Sequence, residues 1–251
     1  MIPFRNVIVC HIVPGSEQKV GDVFAHYDSL TRPQDLGVIG RMICAHDDVY
    51  LHIIERKEDP AISGQRRGLP AFQQIAEEIA PYVTPYPSTW TNPSDSVAKE
   101  FYHYVADGPE PEETEVTVIL QRMVPGSEAE IARVFEESDA SGFPKQFGVV
   151  GRWLYSSEDA FVHVLEQDTS VPESDRHDHD GKPRFTEIMR KLAPYVSPYR
   201  PDTWRGPKDS VATVYYRWQA PDWGAPPEAE ATAGSLRPQD AALHREATVS
   251  A

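Results

Sequence analysis

Val13-Pro-Gly-Ser-Glu17 occurs a second time as Val124-Pro-Gly-Ser-Glu128, 111 residues further on. At the same shift Phe24 matches Phe135, Asp28 matches Asp139 and Pro33 matches Pro144. Gly37-Val-Ile-Gly-Arg41 returns as Gly148-Val-Val-Gly-Arg152, and Asp48, His52 and Glu55 return as Asp159, His163 and Glu166. After a two-residue insertion Ala80-Pro-Tyr-Val83 becomes Ala193-Pro-Tyr-Val196. One further residue carries Trp90 onto Trp204 and Asp95-Ser-Val-Ala98 onto Asp209-Ser-Val-Ala212. Ordered matches over roughly a hundred residues are the mark of an internal duplication.

The repeat divides the chain into copy 1 (residues 1–106), an acidic proline-containing linker (107–114) and copy 2 (115–220). Residues 221–251 lie outside it. They are rich in Ala, Pro and Glu, and cannot bury enough apolar surface to offset the entropy of ordering, so a disordered tail is expected.

Within one copy, Asn6 to Val13 is β-branched and ends at Pro14-Gly15, a strand and turn. Ser16 is a candidate N-cap, with Val20, Val23, Phe24 and Tyr27 following at helical spacing up to the stop at Pro33. Leu36 to Cys44 and Val49 to Glu55 read as strands joined at His46-Asp47-Asp48. Phe72, Ile75, Ala76 and Ile79 form the stripe of a second helix that Pro81 ends. Val97 to Val105 closes the unit as a last strand. The fold class is therefore α+β, two tandem ferredoxin-like βαββαβ domains. Two helices cover one face of such a sheet, and the other needs a partner. The second copy in the same chain can supply it, as a pseudo-dimer, or the counterpart in another chain, as a homodimer.

The formal charge of −15 over 251 residues, with basic residues scattered, excludes an ordinary nucleic-acid binder. There is no secretory core and no apolar span of membrane length, so no membrane partner is expected and a cytoplasmic location is the simplest reading. Cys10 and Cys44 have Gln121 and Tyr155 as counterparts, which speaks for free thiols rather than a structural bridge.

Both copies combine a Val-Pro-Gly-Ser-Glu turn, a helix with Phe-x-x-x-Asp, a Gly-Val-x-x-Arg strand and a strand of the form Asp-x-Tyr-x-His-x-x-Glu in copy 1. Ala-Pro-Tyr-x-x-Pro-Tyr, a Trp and an aromatic-rich last strand complete the pattern. In this combination the chain resembles the tetracenomycin-type aromatic polyketide cyclases, over roughly residues 6–106 and 115–220. The resemblance implies a dimeric α+β barrel that cyclises a poly-β-ketone without a cofactor. The expected partners are that ketide or a partly cyclised intermediate, and components of the polyketide synthase. A chain of this charge repels acidic carrier proteins, which favours a released intermediate.

Ring closure of a poly-β-ketone needs a proton acceptor, a donor for the enolate oxygen and an apolar cavity. His52 and His163, mid-strand and at the family's active-site position, are the expected acid-base groups. Arg41 and Arg152 on the preceding strand are expected to polarise the oxygen, and Asp28 and Asp139 to orient the His or pair with the Arg. In the family a pocket-lining His often precedes this Asp; here Tyr27 and Ser138 stand there, with His26 one residue earlier. Tyr27, His26, His11 and Arg122 are candidate polar contacts, and Tyr50, Phe161, Trp153 and Phe143 candidate stacking surfaces for substrate. Divergence at Met42 against Trp153, Cys44 against Tyr155 and Tyr27 against Ser138 suggests two differently shaped pockets. His177-Asp-His-Asp180 has metal-like spacing but no supporting ligands, and no metal is expected. Two other functions fit a barrel of this kind: a cofactor-free oxygenase of reduced aromatics, and a non-catalytic chaperone for the nascent ketide.

Overall fold

The structure is a computed structural model, which describes residues 3–58, 70–177 and 182–221. The expected tail from residue 222 and most of the His177-Asp180 stretch lie outside the described residues. Copy 1 runs β1 (Phe4–Ile12), α1 (Glu17–Leu30), β2 (Val38–His46), β3 (Val49–Arg56), α2 (Pro70–Ile79), β4 (Val83–Pro85) and β5 (Lys99–Val105). Copy 2 repeats this as β6 (Thr114–Met123), α3 (Glu128–Asp139), β7 (Val149–Ser157), β8 (Ala160–Asp168), α5 (Pro183–Leu192), β9 (Val196–Pro198) and β10 (Thr213–Gln219). A short helix α4 (Glu173–His177) fills the insertion before α5. No helix among the described residues is long and apolar enough to cross a membrane.

Local chemistry accounts for the joints. The β2–β3 and β7–β8 hairpins turn on Asp47 (φ 54°) and Glu158 (φ 50°), each in the left-handed region. The bend into β2 is made at Gly37 (φ 72°) and repeated at Gly148 (φ 69°), where a side chain would be strained. Ser16 does not cap α1: its hydroxyl donates to the Val13 carbonyl and closes the preceding turn instead. The three-residue edge strands β4 and β9 were not legible as strands, because proline ends each after a single turn of pleat.

The sequence led us to expect each copy to close its own sheet with its last strand. The structure corrects this. One sheet has the order β10-β2-β3-β1-β4 and the other β5-β7-β8-β6-β9. The last strand of each copy therefore completes the sheet of the other. β5 pairs antiparallel with β7, from Lys99 opposite Ser156 to Val105 opposite Gly151. β10 pairs with β2, from Thr213 opposite Ala45 to Gln219 opposite Gly40. Each exchanged strand carries a register shift, between Glu100 and Tyr102 and between Val214 and Tyr216. A bulge lets consecutive residues share one face. Phe101 and Tyr102 thus both pack on the helix-covered core of copy 2, and Tyr215 and Tyr216 on that of copy 1. α1 lies against β10 closely enough that a Cβ on Gly21 would stand 3.3 Å from the Tyr215 carbonyl oxygen.

The faces turned away from the helices pack on each other, Val7, Leu51 and Ile53 with Leu120, Val162 and Val164. This is the intrachain pseudo-dimer. One charge sits inside it. The Arg5 side chain is 3% exposed, with Nε 2.8 Å from Glu55 and Nη2 3.0 Å from Glu166 of the other copy. Its guanidinium lies 3.9 Å from the centre of the Trp153 ring. At the equivalent place on the other side are Val116 and Met42, with Arg217 reaching to 3.7 Å from the Met42 sulfur. The two halves of the interface are not alike. Met42, Trp153, Cys44 and Tyr155 all belong to this inter-sheet core, so their divergence shapes the interface rather than the pockets. Cys10 and Cys44 are free and face opposite sides of the first sheet.

Two outcomes follow from strand exchange and from Arg5. Cutting the 107–114 linker at an introduced protease site leaves fragments that co-elute on native size exclusion and separate only in denaturant. Arg5→Ala strands Glu55 and Glu166 at the interface and lowers unfolding stability by about 3 kcal/mol, read from the urea midpoint.

Candidate active sites on the helix-covered faces

Along β3 the side chains of Tyr50, His52 and Ile54 point toward the helices, and Arg41 and Ile43 do so from β2. The β2–β3 register places His52 opposite Ile43 and Arg41 opposite Ile54, so imidazole and guanidinium lie one step apart on neighbouring strands. Asp28, in the last turn of α1, descends onto this pair. Its carboxylate oxygen Oδ2 is 3.3 Å from Arg41 Nε and accepts a 3.0 Å hydrogen bond from the Tyr216 hydroxyl. Phe24, one turn earlier in α1, sets its ring 4.9 Å from that of His52, edge on, and lies 5.2 Å under the Arg41 guanidinium.

Copy 2 repeats the arrangement. Arg152 Nε is 3.2 Å from Asp139, and the Tyr102 hydroxyl donates to Asp139 over 2.8 Å. The Phe135 ring stands 5.3 Å from that of His163 and 4.8 Å from the Arg152 guanidinium. The expected His, Arg and Asp residues are thus brought together twice. The tyrosine of each site comes from the other copy. Neither Tyr102 nor Tyr216 was singled out from sequence. Their alignment with each other, 114 residues apart, was the available signal, but only strand exchange shows which carboxylate each one reaches.

Both imidazoles are buried, and His52 Nε2 and His163 Nε2 have no hydrogen-bond partner among the described residues. Burial first, then the positive charge of Arg41 and Arg56, holds His52 well below the usual imidazole range. Burial and Arg152 do the same to His163. Each ring is therefore neutral at neutral pH, with a free nitrogen lone pair or N–H in the site. Burial pushes the Asp28 and Asp139 carboxyls upward, against the pull of Arg41 with Tyr216 and of Arg152 with Tyr102. A neutral base beside a guanidinium that is itself tethered by a carboxylate can accept a carbon-bound proton while the cation takes up negative charge on oxygen.

Other expected contacts lie elsewhere. His11 and Arg122 are on the opposite face of their strands, because alternation sends them to the inter-sheet side. His11 Nδ1 is 3.6 Å from Asp48 with its ring 4.8 Å from Tyr86, and Arg122 pairs with Asp159 and lies 4.4 Å from the Tyr199 ring. Trp153 is covered by Arg5 in the same inter-sheet core. His26 is exposed on α1, 5.2 Å from the Tyr27 ring, whereas Tyr27 is buried with its hydroxyl donating to Glu78 of α2. Phe143 is half-buried against Phe147 at 5.0 Å, beside the turn into β7. Tyr50 and Phe161 do line the sites, 6.2 and 6.3 Å from their histidines. A groove of about 480 Å³ runs along Glu113–Val118 and Val211–Arg217. Neither His52 nor His163 lines it. Among the described residues no cluster of His, Cys, Asp and Glu is arranged to hold a metal.

Comparison with known proteins agrees with this organisation. The family model described as "Polyketide synthesis cyclase" matches twice, over residues 4–105 and 115–219. Over 105 residues the chain is 43% identical to an uncharacterized protein of Streptomyces coelicolor, covering 41% of this chain and 93% of that protein. Over 104 residues it is 33% identical to the tetracenomycin F2 cyclase of Streptomyces glaucescens, covering 41% of this chain and 95% of the cyclase. Each relative thus corresponds to a single copy. A putative monooxygenase of Fusobacterium nucleatum superposes over 87% of this chain and 94% of its own with a TM-score of 0.50; at 13% identity the likeness is one of fold.

The site chemistry has a consequence for folding. A histidine whose folded pKa is depressed binds fewer protons folded than unfolded once the pH drops below about 6.5, so stability is whole above that value and lost below it. Asp28 and Asp139 act with the opposite sign, nearer pH 4, because their folded pKa values are raised. Urea midpoints are expected to fall from pH 7.5 to pH 5. The fall should shrink in the His52→Gln, His163→Gln double variant.

Proposed function

The chain belongs to the polyketide synthesis cyclase family, and on that premise we propose that it closes and aromatises rings of a poly-β-ketone by intramolecular aldol condensation and dehydration, using its own side chains. The observation that carries the reading is the neutral imidazole whose Nε2 has no partner among the described residues, set beside an Arg–Asp–Tyr network and present twice.

His52 Nε2 removes a proton from a methylene between two carbonyls, and the electron pair moves onto oxygen as an enolate facing Arg41. The enolate carbon attacks a more distant carbonyl carbon. One C–C bond forms and the carbonyl π pair becomes an alkoxide, which takes the proton back from the imidazolium. A second methylene proton then passes to the imidazole, and the hydroxyl departs as water with the proton returned to it. Enolisation of the remaining ketones completes the aromatic ring. No electrons enter or leave. An imidazolium beside Arg41 is a stronger acid than usual, which favours these return transfers. Asp28 holds Arg41 and is itself held by Tyr216, so these two act as positioning residues. His163, Arg152, Asp139 and Tyr102 have the same roles in copy 2. The His52 and His163 residues are only 6% and 7% exposed, so a ketide chain reaches them by displacing the aromatic cover of Phe24 and Phe135.

A polyketide synthase that releases a poly-β-ketone is run under nitrogen with the wild-type protein, His52→Ala, His163→Ala and the double variant, each checked by circular dichroism. The double variant is expected to lose about 100-fold or more of cyclised product to shunt compounds. Unchanged product from the folded double variant would overturn the acid-base assignment. A requirement for oxygen would replace it with an oxygenase.

A further inference from the structure

The two sites share a scaffold but are not lined alike. The helix-side face of β3 reads Tyr50, His52, Ile54, Arg56, and that of β8 reads Phe161, His163, Leu165, Gln167. Tyr50 is 2% exposed, and its phenol oxygen has no hydrogen-bond partner among the described residues. Nor has His52 Nε2, two residues along on the same face. To the unpartnered imidazole nitrogen that both copies share, copy 1 therefore adds a buried phenol oxygen without a partner among the described residues.

Packing does not require the phenol. Phe161 fills the equivalent place at 1% exposure, 6.2 Å from Phe101 and 6.5 Å from Phe135. Leaving a hydroxyl buried and unbonded costs about 1–3 kcal/mol, which a phenylalanine would avoid. The far end of the same face differs in the same sense. Arg56 lies near enough to His52 to help keep it neutral. Gln167 instead turns its amide away, donating to the Phe147 carbonyl over 2.9 Å and to the Arg176 carbonyl over 3.4 Å, and so ties α4 to the turn before β7.

We propose that the Tyr50 phenol is a specificity determinant that makes copy 1 the site for an oxygen-rich 1,3-dicarbonyl segment, which copy 2 cannot bind in the same way. Tyr50 donates to one carbonyl oxygen while His52 faces the methylene or the oxygen beside it. Copy 2 presents Phe161, Phe101 and Phe135 at that position and takes a flatter, less oxygenated portion of the ketide. A site that satisfies a substrate oxygen with a buried donor discriminates strongly against ligands lacking that oxygen, whereas an apolar pocket discriminates weakly. The inference rests on the cyclase reading and adds to it a division of substrate stages between the copies.

The test is calorimetric titration of the full-length protein with 1-phenylbutane-1,3-dione, alongside naphthalene as a probe without oxygens. Wild type is expected to bind one dione per chain. Tyr50→Phe, which installs the residue that copy 2 already accommodates, should weaken that site about tenfold for the dione and leave naphthalene binding unchanged. Phe161→Tyr should raise the dione stoichiometry toward two. Equal dione affinity in wild type and Tyr50→Phe, or two equivalent dione sites in wild type, would overturn the inference while leaving the histidine chemistry standing. No dione binding by wild type would overturn the inference too, and if the wild-type protein also failed to alter the products of the synthase the cyclase reading would fall with it.

Discussion

The exchange of last strands between the copies is the constraint on which both sites depend. β5 and β10 do more than complete the sheets. Each brings a phenol to a carboxylate of the opposite copy, Tyr102 to Asp139 and Tyr216 to Asp28, and those carboxylates hold Arg152 and Arg41. A carboxylate as buried as Asp28 or Asp139 is costly unless paired and hydrogen-bonded. The guanidinium supplies the charge and the borrowed tyrosine supplies the remaining donor. Neither copy contains a whole site by itself, and the site of one cannot be dismantled without opening the sheet of the other.

Within that frame the electrostatics are consistent. Arginine keeps its charge when buried far more readily than histidine does, so where the two meet in an apolar enclosure the histidine yields its proton. The same burial that would make an imidazolium expensive makes a neutral base available at neutral pH. The bulges in β5 and β10 are part of the same design. By turning two successive aromatics to the helix side they give Phe101 and Tyr215 a packing role and free Tyr102 and Tyr216 for hydrogen bonding.

Fusing two copies in one chain also removes a restriction. A two-fold homodimer must present the same residue on both sides of its axis. Here one side carries Arg5 with Trp153 and the other Val116 with Met42. A single guanidinium can then serve Glu55 and Glu166 together. The freedom extends to the sites, where Tyr50 faces Phe161 and Arg56 faces Gln167 across the pseudo-axis. In a tandem chain an interface change and a pocket change in one copy need not be repeated in the other.

By itself the sequence determined that the chain is a duplication, which of the longer segments are helix and strand, and that His52, Arg41 and Asp28 recur as His163, Arg152 and Asp139. Those are properties of spacing and alternation, which are written locally. Alternation also placed Tyr50 and Phe161 beside the histidines. It would have placed His11, Arg122 and Trp153 away from them as well, had the two faces been assigned, but nothing local says which face meets helices and which meets the other sheet. Only the tertiary structure decided that the last strands cross over, that Tyr102 and Tyr216 complete the sites of the opposite copies, and that Arg5 lies within the interface. The hydrogen bonds of a strand satisfy either sheet equally well. The choice between them comes from packing between segments more than a hundred residues apart, which no window of sequence contains.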